Sequence, residues 1–367
     1  MNISKVDKNF ADSAVSSGEV EWIEIPSDKV TLCGVFYDEK DGLFRRVPKS
    51  VVGRLSDNVR YLSTHTTGGR IIFETDSPFI ALKGVENNVG FMSNMALFGV
   101  YGFSVSANGT YRGTVMPDTL SQNSDLPLCP NRIDSPISAD DVAFEGSKPT
   151  GVDGIALCKV GFPLYTGVRK LFLGVKKGSI VQKANPYSKK PIVFYGSSIT
   201  HGACASRAGL DYASLVSEMM NIDFLNVAFA GNCHGEMEMA QYIAGIDSSL
   251  YVIEYDHNAK TVDMLQNTHC KFYEALRRNN KTTPILFFSR PGPEYFADWK
   301  ERREVVKNTV ERGRKSGDEN VYFIGGETFF GKDYSLCTAD TCHPNDIGFC
   351  KMASSICDFI KKNKIIK

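Results

Sequence analysis

Apolar runs alternate with longer amphipathic segments through the second half of the chain, and this rhythm constrains the fold more than any other feature. Runs at Pro191–Tyr195, Ile222–Phe229, Leu250–Tyr255, Pro284–Ser289 and Val321–Ile324 are separated by helix-like segments at Gly235–Ala244, Thr261–Arg278 and Ala297–Lys315. A last one, Asn345–Lys362, closes the chain. Parallel strands need long crossovers, which helices provide, so the pattern predicts a parallel sheet covered on both faces. The first run, Ile192-Val193-Phe194-Tyr195, suits a strand buried on both faces and stops at Gly196-Ser197-Ser198. A strand that ends this way lifts a hydroxyl to the carboxyl edge of the sheet, where open α/β folds place their chemistry. Ser198, ahead of a helix-like segment from about Leu210, is therefore the candidate nucleophile.

The first half reads differently. Arg70–Thr75 and Phe79–Lys83 are short apolar runs divided by Asp76-Ser77-Pro78, a turn signal. Phe103–Ser106 alternates, and Asn108-Gly109 is a hairpin turn leading into Thr110–Arg112. Further strands are expected at Ile155–Val160 and Lys170–Val175, and Pro117–Pro149, rich in Ser, Asp, Asn and Pro, is read as a long loop. Many short strands with little helical periodicity predict an antiparallel β-sandwich domain over 1–185. The junction falls in Lys183–Lys190, leaving 186–367 for the α/β domain. A chain of 367 residues is comfortable for two domains.

Composition removes several function classes. Lys+Arg and Asp+Glu both number 42, so there is no basic footprint for nucleic acid. Met1–Val20 lacks the apolar core of a signal peptide, and no later stretch would span a bilayer, which predicts a cytoplasmic protein with no membrane partner. The ten cysteines are scattered, most of them in apolar runs such as those around Cys158 and Cys357, and are expected to be reduced core thiols.

Four segments carry residues suited to one reaction: Gly196-Ser197-Ser198, Asn226–Asn232, Tyr255–Ala259 and Asp340–Pro344. Loops at strand carboxyl ends converge in this topology, so distant residues can share a site. A serine hydroxyl needs a base to take its proton, and that base works best when a carboxylate fixes its tautomer. Asp340 and His343 are close enough for one loop to hold both. Negative charge appearing on a carbonyl oxygen needs donors: the backbone N–H groups of Ser198 and Gly231, and the side-chain amide of Asn258, are the candidates. Losing one such donor typically costs about 100- to 1000-fold in rate.

These blocks resemble those of the SGNH (GDSL-like) hydrolases. Phe194–Thr200, Cys204-Ala205-Ser206-Arg207, Phe162–Val168 and Gly102-Phe103 extend the likeness to the subgroup with a jelly-roll-like β-sandwich ahead of a three-layer α/β/α hydrolase. The resemblance implies Ser198 as nucleophile, His343 and Asp340 as the other triad members, and Gly231 and Asn258 as oxyanion donors. Members of that subgroup are similar to carbohydrate esterases that remove acetyl groups, which implies a serine esterase acting on an acetylated oligosaccharide, with no metal or organic cofactor. Three departures stand out: Ser197 occupies the place of the motif's Asp, Ala228 a place often Gly, and Asp256-His257-Asn258-Ala259 replaces Gly-x-Asn-Asp.

Other readings weigh against single residues. His201, His234 and His257 lie in the same loops, either as polar loop residues or as contacts to sugar hydroxyls. Arg290 at a strand end would steer substrate or form a structural salt bridge. Tyr187 and Trp299 are packing residues or stacking platforms for a sugar. Zinc held by Cys337, Cys342, His343 and another His matches no standard ligand spacing. For the whole protein, the rivals are a lipid-type esterase or acyl-thioesterase on the same triad, and a carbohydrate-binding protein with a degenerate hydrolase domain. The short, small-residue loop Gly202–Arg207 favours a small acyl group over a long one. The N-terminal domain would either shape the rim of the site or mediate subunit contacts; the oligomeric state is left open.

Overall fold

The computed structural model describes residues 17–89, 92–117, 139–292 and 297–366. The chain divides into two compact units, one of Met1–Arg45 with Thr64–Asn185 and the other of Arg46–Ser63 with Pro186–Lys367. The segment 46–63, assigned from sequence to the first domain, is part of the second. The reason is packing: Val47, Val51, Val52, Leu55, Val59 and Leu62 are buried in one cluster with Met239, Ala240 and Ile243 of the second unit.

The first unit is built from two antiparallel sheets. One has the order Val20–Ile25, Gly167–Lys176, Phe79–Val89, Ala139–Pro149; the other runs Val181–Lys183, Arg70–Thr75, Ala156–Gly161, Phe103–Ala107, Thr110–Val115, with Thr31–Cys33 also on Arg70–Thr75. Ile23, Ile80, Leu82 and Leu171 from the first sheet share a core with Ile71, Phe73, Val105 and Val160 from the second, which makes a sandwich. Asn108 and Gly109 both have positive φ, 48° and 74°, as the predicted two-residue hairpin turn requires. Ala139–Pro149 corrects the reading of Pro117–Pro149 as loop: it is a strand paired along Phe79–Val89. It lies at the sheet edge, and Phe144, stacked on Phe103 at 4.9 Å, is its aromatic anchor in the core. Residues 118–138 of that stretch lie outside the described residues.

The second unit holds a five-stranded, wholly parallel sheet. Its strands are β1 (Ile192–Gly196), β2 (Phe224–Asn226), β3 (Leu250–Glu254), β4 (Ile285–Phe288) and β5 (Val321–Ile324), in spatial order β2-β1-β3-β4-β5. All residues of β1, β3 and β4 are buried, which explains their apolar character, interrupted only by Glu254 at the end of β3. Helices Tyr212–Met220 and Asp346–Lys362 pack together, as do Met237–Ala244, Val262–Asn279 and Trp299–Lys315 in succession. From β1 the chain crosses to β2 on one side and then to β3 on the other. The carboxyl ends of β1 and β3 therefore flank the point where the strand order reverses, the crevice in which such sheets bind ligands. The protein thus combines an antiparallel sandwich-like unit with an α/β unit whose site is predicted by topology alone.

Candidate active site

β1 ends at Gly196, and Ser197 caps the short helix Ser198–His201 by accepting the N–H of Ile199 at 3.1 Å. Ser198, first in that helix, is partly exposed. Its hydroxyl lies 2.8 Å from His343 Nε2, bridging 145 positions of sequence. The opposite ring nitrogen, Nδ1, is 2.8 Å from Asp340 Oδ2. An ionised carboxylate can only accept, so Nδ1 donates and Nε2 is left as the acceptor for the serine proton.

The loop that carries Asp340 and His343 is organised by Asp340 itself. Asp340 Oδ1 accepts the backbone N–H of Cys342 at 3.0 Å and of His343 at 2.7 Å, while Thr341 takes a left-handed φ of 65°. Ala339 N–H and the Thr338 hydroxyl both donate to the His343 carbonyl, at 2.9 and 3.0 Å. Asn345 then caps Asp346–Lys362 by accepting Gly348 N–H at 3.1 Å, and Asp346 accepts the N–H of Ser206 at 2.8 Å. Burial alone would lower the pKa of His343; the adjacent Cys342 thiol and the Asp340 carboxylate outweigh it and hold the imidazole above its ordinary value. Burial would raise the Cys342 thiol, but His343, Arg290 and His257 together bring it below its ordinary value. Cys342 Sγ accepts from Arg290 Nη2 at 3.3 Å and stands 4.0 Å from His343 Nε2.

The loop after β2 places Gly231 at a φ of 67°, with open space where a Cβ would be. Its neighbours are tied down. Ala230 N–H donates to His201 Nδ1 at 3.4 Å, and Asn226 Nδ2 donates to the Thr200 carbonyl at 2.7 Å. Arg46, 4% exposed, donates to the carbonyls of Asn226 (2.9 Å), Ala228 (2.8 Å) and Leu62 (2.7 Å), with its guanidinium over the Phe229 ring. Sequence reasoning missed Arg46, since nothing local marks an arginine in the first 50 residues as a support for a loop 180 positions away.

After β3, Asn258 N–H bonds to the Tyr255 carbonyl at 3.0 Å, while its side-chain nitrogen is buried without a hydrogen-bond partner among the described residues. His257 Nδ1 lies 3.2 Å from Asp256 Oδ1 and 3.5 Å from Glu254 Oε2. Asp256 Oδ2 accepts Arg290 N–H at 3.0 Å; burial would raise this carboxyl, but His257 and Arg290 lower it on balance. His201, considered from sequence as a sugar contact, is instead fully buried as a support of the Gly231 loop. His257 and Arg290 line a cavity of about 160 Å³ together with Asp256, Ser289, Asp298, Trp299 and Arg302. His234 is paired locally with Glu236, whose Oε1 accepts its backbone N–H at 3.0 Å and lies 3.9 Å from its Nδ1. Two clusters have donor atoms within 4.8 Å of one another, Cys204–Asp340–His343 and Glu254–Asp256–His257. In each, the hydrogen bonds just described already engage the imidazole and a carboxylate.

A hydroxyl, an imidazole and a carboxylate in hydrogen-bonded series at the switch point of a parallel sheet form the arrangement that serine hydrolysis requires. Residues 189–361 match the GDSL-like Lipase/Acylhydrolase family, and residues 20–123 match the N-terminus of Esterase_SGNH_hydro-type family, GxDLY. The chain is an SGNH/GDSL-like, esterase-type hydrolase with an N-terminal GxDLY domain. Among solved structures it is similar to a Bacteroides ovatus ATCC 8483 protein named, by inference, a GDSL-like lipase: TM-score 0.79 and 26% identity over 95% of this chain and 99% of that one. It is also similar to the salicylyl-acyltransferase SsfX3 of a tetracycline biosynthetic pathway, with TM-score 0.73 and 20% identity over 92% and 95% of the two chains. A third is the acetyl xylan esterase Est2A of the rumen bacterium Butyrivibrio proteoclasticus, with TM-score 0.56 and 12% identity over 94% and 99%. A comparison with curated proteins returned no match. Among the described residues, no helix is long and apolar enough to cross a membrane.

Proposed function

We propose that the protein is a serine esterase that removes O-acetyl groups from a carbohydrate. The observation that carries this reading is the unbroken series Ser198 Oγ, His343 Nε2, His343 Nδ1, Asp340 Oδ2, with 2.8 Å at both contacts. Ser198 Oγ attacks the acetyl carbonyl as His343 takes its proton, and Asp340 stays ionised to hold the imidazolium. The tetrahedral oxyanion rests on the N–H groups of Ser198 and Gly231 and on the Asn258 amide. A buried amide donor with no protein acceptor, as Asn258 Nδ2 is among the described residues, suits a role that engages only as charge develops. His343 then protonates the departing sugar oxygen, and water, activated by the same imidazole, cleaves the acetyl-enzyme.

Two features favour a sugar and a small acyl group. The cavity beside Arg290 combines guanidinium, imidazole, carboxylate and hydroxyl groups with the indole of Trp299, a lining suited to a ring bearing many hydroxyls. Ala203, Cys204 and Ala205 beside the nucleophile are small and buried, leaving little room for a long chain. The likeness to an acetyl xylan esterase agrees with this substrate class. A complete hydrogen-bonded triad speaks against a purely binding role.

The test is a mass-spectrometric screen of acetylated xylo-, manno- and gluco-oligosaccharides with wild type and Ser198→Ala. Deacetylation by wild type alone is the expected result; none on any sugar, with p-nitrophenyl octanoate cleaved faster than acetate, would replace the reading by a lipid-type esterase. The likeness to a salicylyl-acyltransferase raises a second outcome, transfer of the acyl group to an added alcohol instead of water, which product analysis separates.

A further inference from the structure

Glu254, the last residue of β3, is 1% exposed. The rest of that strand is apolar, so packing alone gives no reason for a carboxylate there. Its Oε1 receives the backbone N–H of Ser197 at 2.9 Å, the Ser197 hydroxyl, and the Thr200 hydroxyl at 2.7 Å. Thr200 Oγ1 is in turn 2.8 Å from the Tyr212 hydroxyl. Gly196 makes this approach feasible: a Cβ there would stand 2.2 Å from Thr200 Oγ1 and 2.8 Å from Glu254 Oε1. The other carboxylate oxygen, Oε2, is 3.5 Å from His257 Nδ1. One buried side chain therefore holds the residues on either side of Ser198 through one oxygen, and faces the loop of Asn258 through the other.

We propose that Glu254 is the positioning residue for the nucleophile, supplying from the adjacent strand the carboxylate that Ser197 does not carry. This rests on the reading of Ser198 as the nucleophile. The Ser197 hydroxyl donates to Glu254 while accepting Ile199 N–H at 3.1 Å, so the turn from β1 into the helix is fixed at both its amide and its side chain. Fixing that turn keeps the Ser198 hydroxyl at 2.8 Å from His343 Nε2 instead of sampling other rotamers. A neutral acceptor in this place keeps some of the bonds but loses their charge-assisted strength.

The experiment compares Glu254→Gln, Ser197→Asp, the double variant Ser197→Asp/Glu254→Gln, and Ser198→Ala. The readouts are kcat and KM for p-nitrophenyl acetate, the rate of labelling by a fluorophosphonate, and melting temperature. Glu254→Gln is expected to lower kcat and the labelling rate about 10- to 100-fold with KM within about twofold. Ser197→Asp alone sets two carboxylates in contact and falls further. The double variant, with one carboxylate facing one amide, recovers about tenfold or more over either single change. If Glu254→Gln does not fold, the double variant decides: folded and active supports the proposal, folded and as slow as Ser197→Asp overturns it. Unchanged kcat in Glu254→Gln with only a shifted melting temperature also overturns it, leaving a structural role. Hydrolysis that survives Ser198→Ala refutes the nucleophile instead, and is distinguishable because the labelling of wild type at Ser198 would then be absent as well.

Discussion

Replacing Asp340 by Asn separates the tautomer-fixing role of this residue from its role in the loop. The carboxylate presents Oδ1 to two backbone N–H groups, at 3.0 and 2.7 Å, and Oδ2 to His343 Nδ1 at 2.8 Å. In Asp340→Asn a single oxygen remains as acceptor, and the two backbone donors claim it. The amide NH2 then falls against Nδ1, which must become the acceptor. The ring proton moves to Nε2, and Nε2 can no longer receive the proton of Ser198. A wrong-tautomer triad loses about 10⁴-fold in kcat, equivalent to roughly 5 kcal/mol of barrier. Stability should change little, by about 1 kcal/mol, because the amide keeps one oxygen for both backbone donors and its NH2 for the imidazole. Asp340→Ala should be as slow but melt lower, since both backbone donors lose their acceptor. The assay is kcat/KM on p-nitrophenyl acetate with melting curves for both variants. A loss below about tenfold in folded Asp340→Asn would refute the reasoning, because the tautomer would then not control the reaction.

Three further outcomes follow from the same geometry. The base must be neutral to act, and His343 is held above its ordinary pKa, so kcat/KM should fall as pH drops, with a midpoint above the usual histidine value; Cys342→Ser removes one of the groups that raise it and should move that midpoint down. His269 is buried with its pKa lowered by burial to about 4, so below about pH 6.5 the unfolded chain takes up a proton that the folded one refuses. Its contribution to stability is intact above that pH and is lost progressively towards pH 4, by roughly 3 kcal/mol, which urea midpoints in His269→Gln should flatten. Arg46→Met leaves buried carbonyls of Asn226, Ala228 and Leu62 without a donor and should cost about 3–5 kcal/mol of stability, with kcat reduced as the Gly231 loop loosens.

The candidate site was legible where it is local. Gly196-Ser197-Ser198 after an apolar strand, and Asp340 three residues before His343, are short strings whose geometry follows from the turn they make. The strand–helix rhythm likewise placed β1 to β5, although the apolar run Ile222–Phe229 yields a strand only over Phe224–Asn226. Beyond Asn226 the chain leaves the sheet to form the Gly231 turn, and hydropathy is blind to that departure. Ala139–Pro149 escaped notice because an edge strand needs few apolar residues and its composition is that of a loop. Glu254 and Arg46 were invisible for another reason: Glu254 holds Ser197 and Thr200 from 54 to 57 positions away, Arg46 holds Asn226 and Ala228 from 180 to 182, and no local pattern encodes such pairings. Ser197 looked like a lost carboxylate in the sequence, yet the carboxylate is present one strand over.

The α/β unit is stitched from two separate stretches of chain, and this limits how it can be excised. A fragment starting at Pro186 would contain the whole triad and the whole parallel sheet but lack the apolar ridge from Val47 to Leu62. The flank of Met237–Ala244 that this ridge covers would be bare to water, and Asn226 and Ala228 would lose the guanidinium that ties them. Recombination or library design at the 185/186 seam would therefore yield sticky, half-dressed hydrolases; a workable graft must carry the early segment along with the late one.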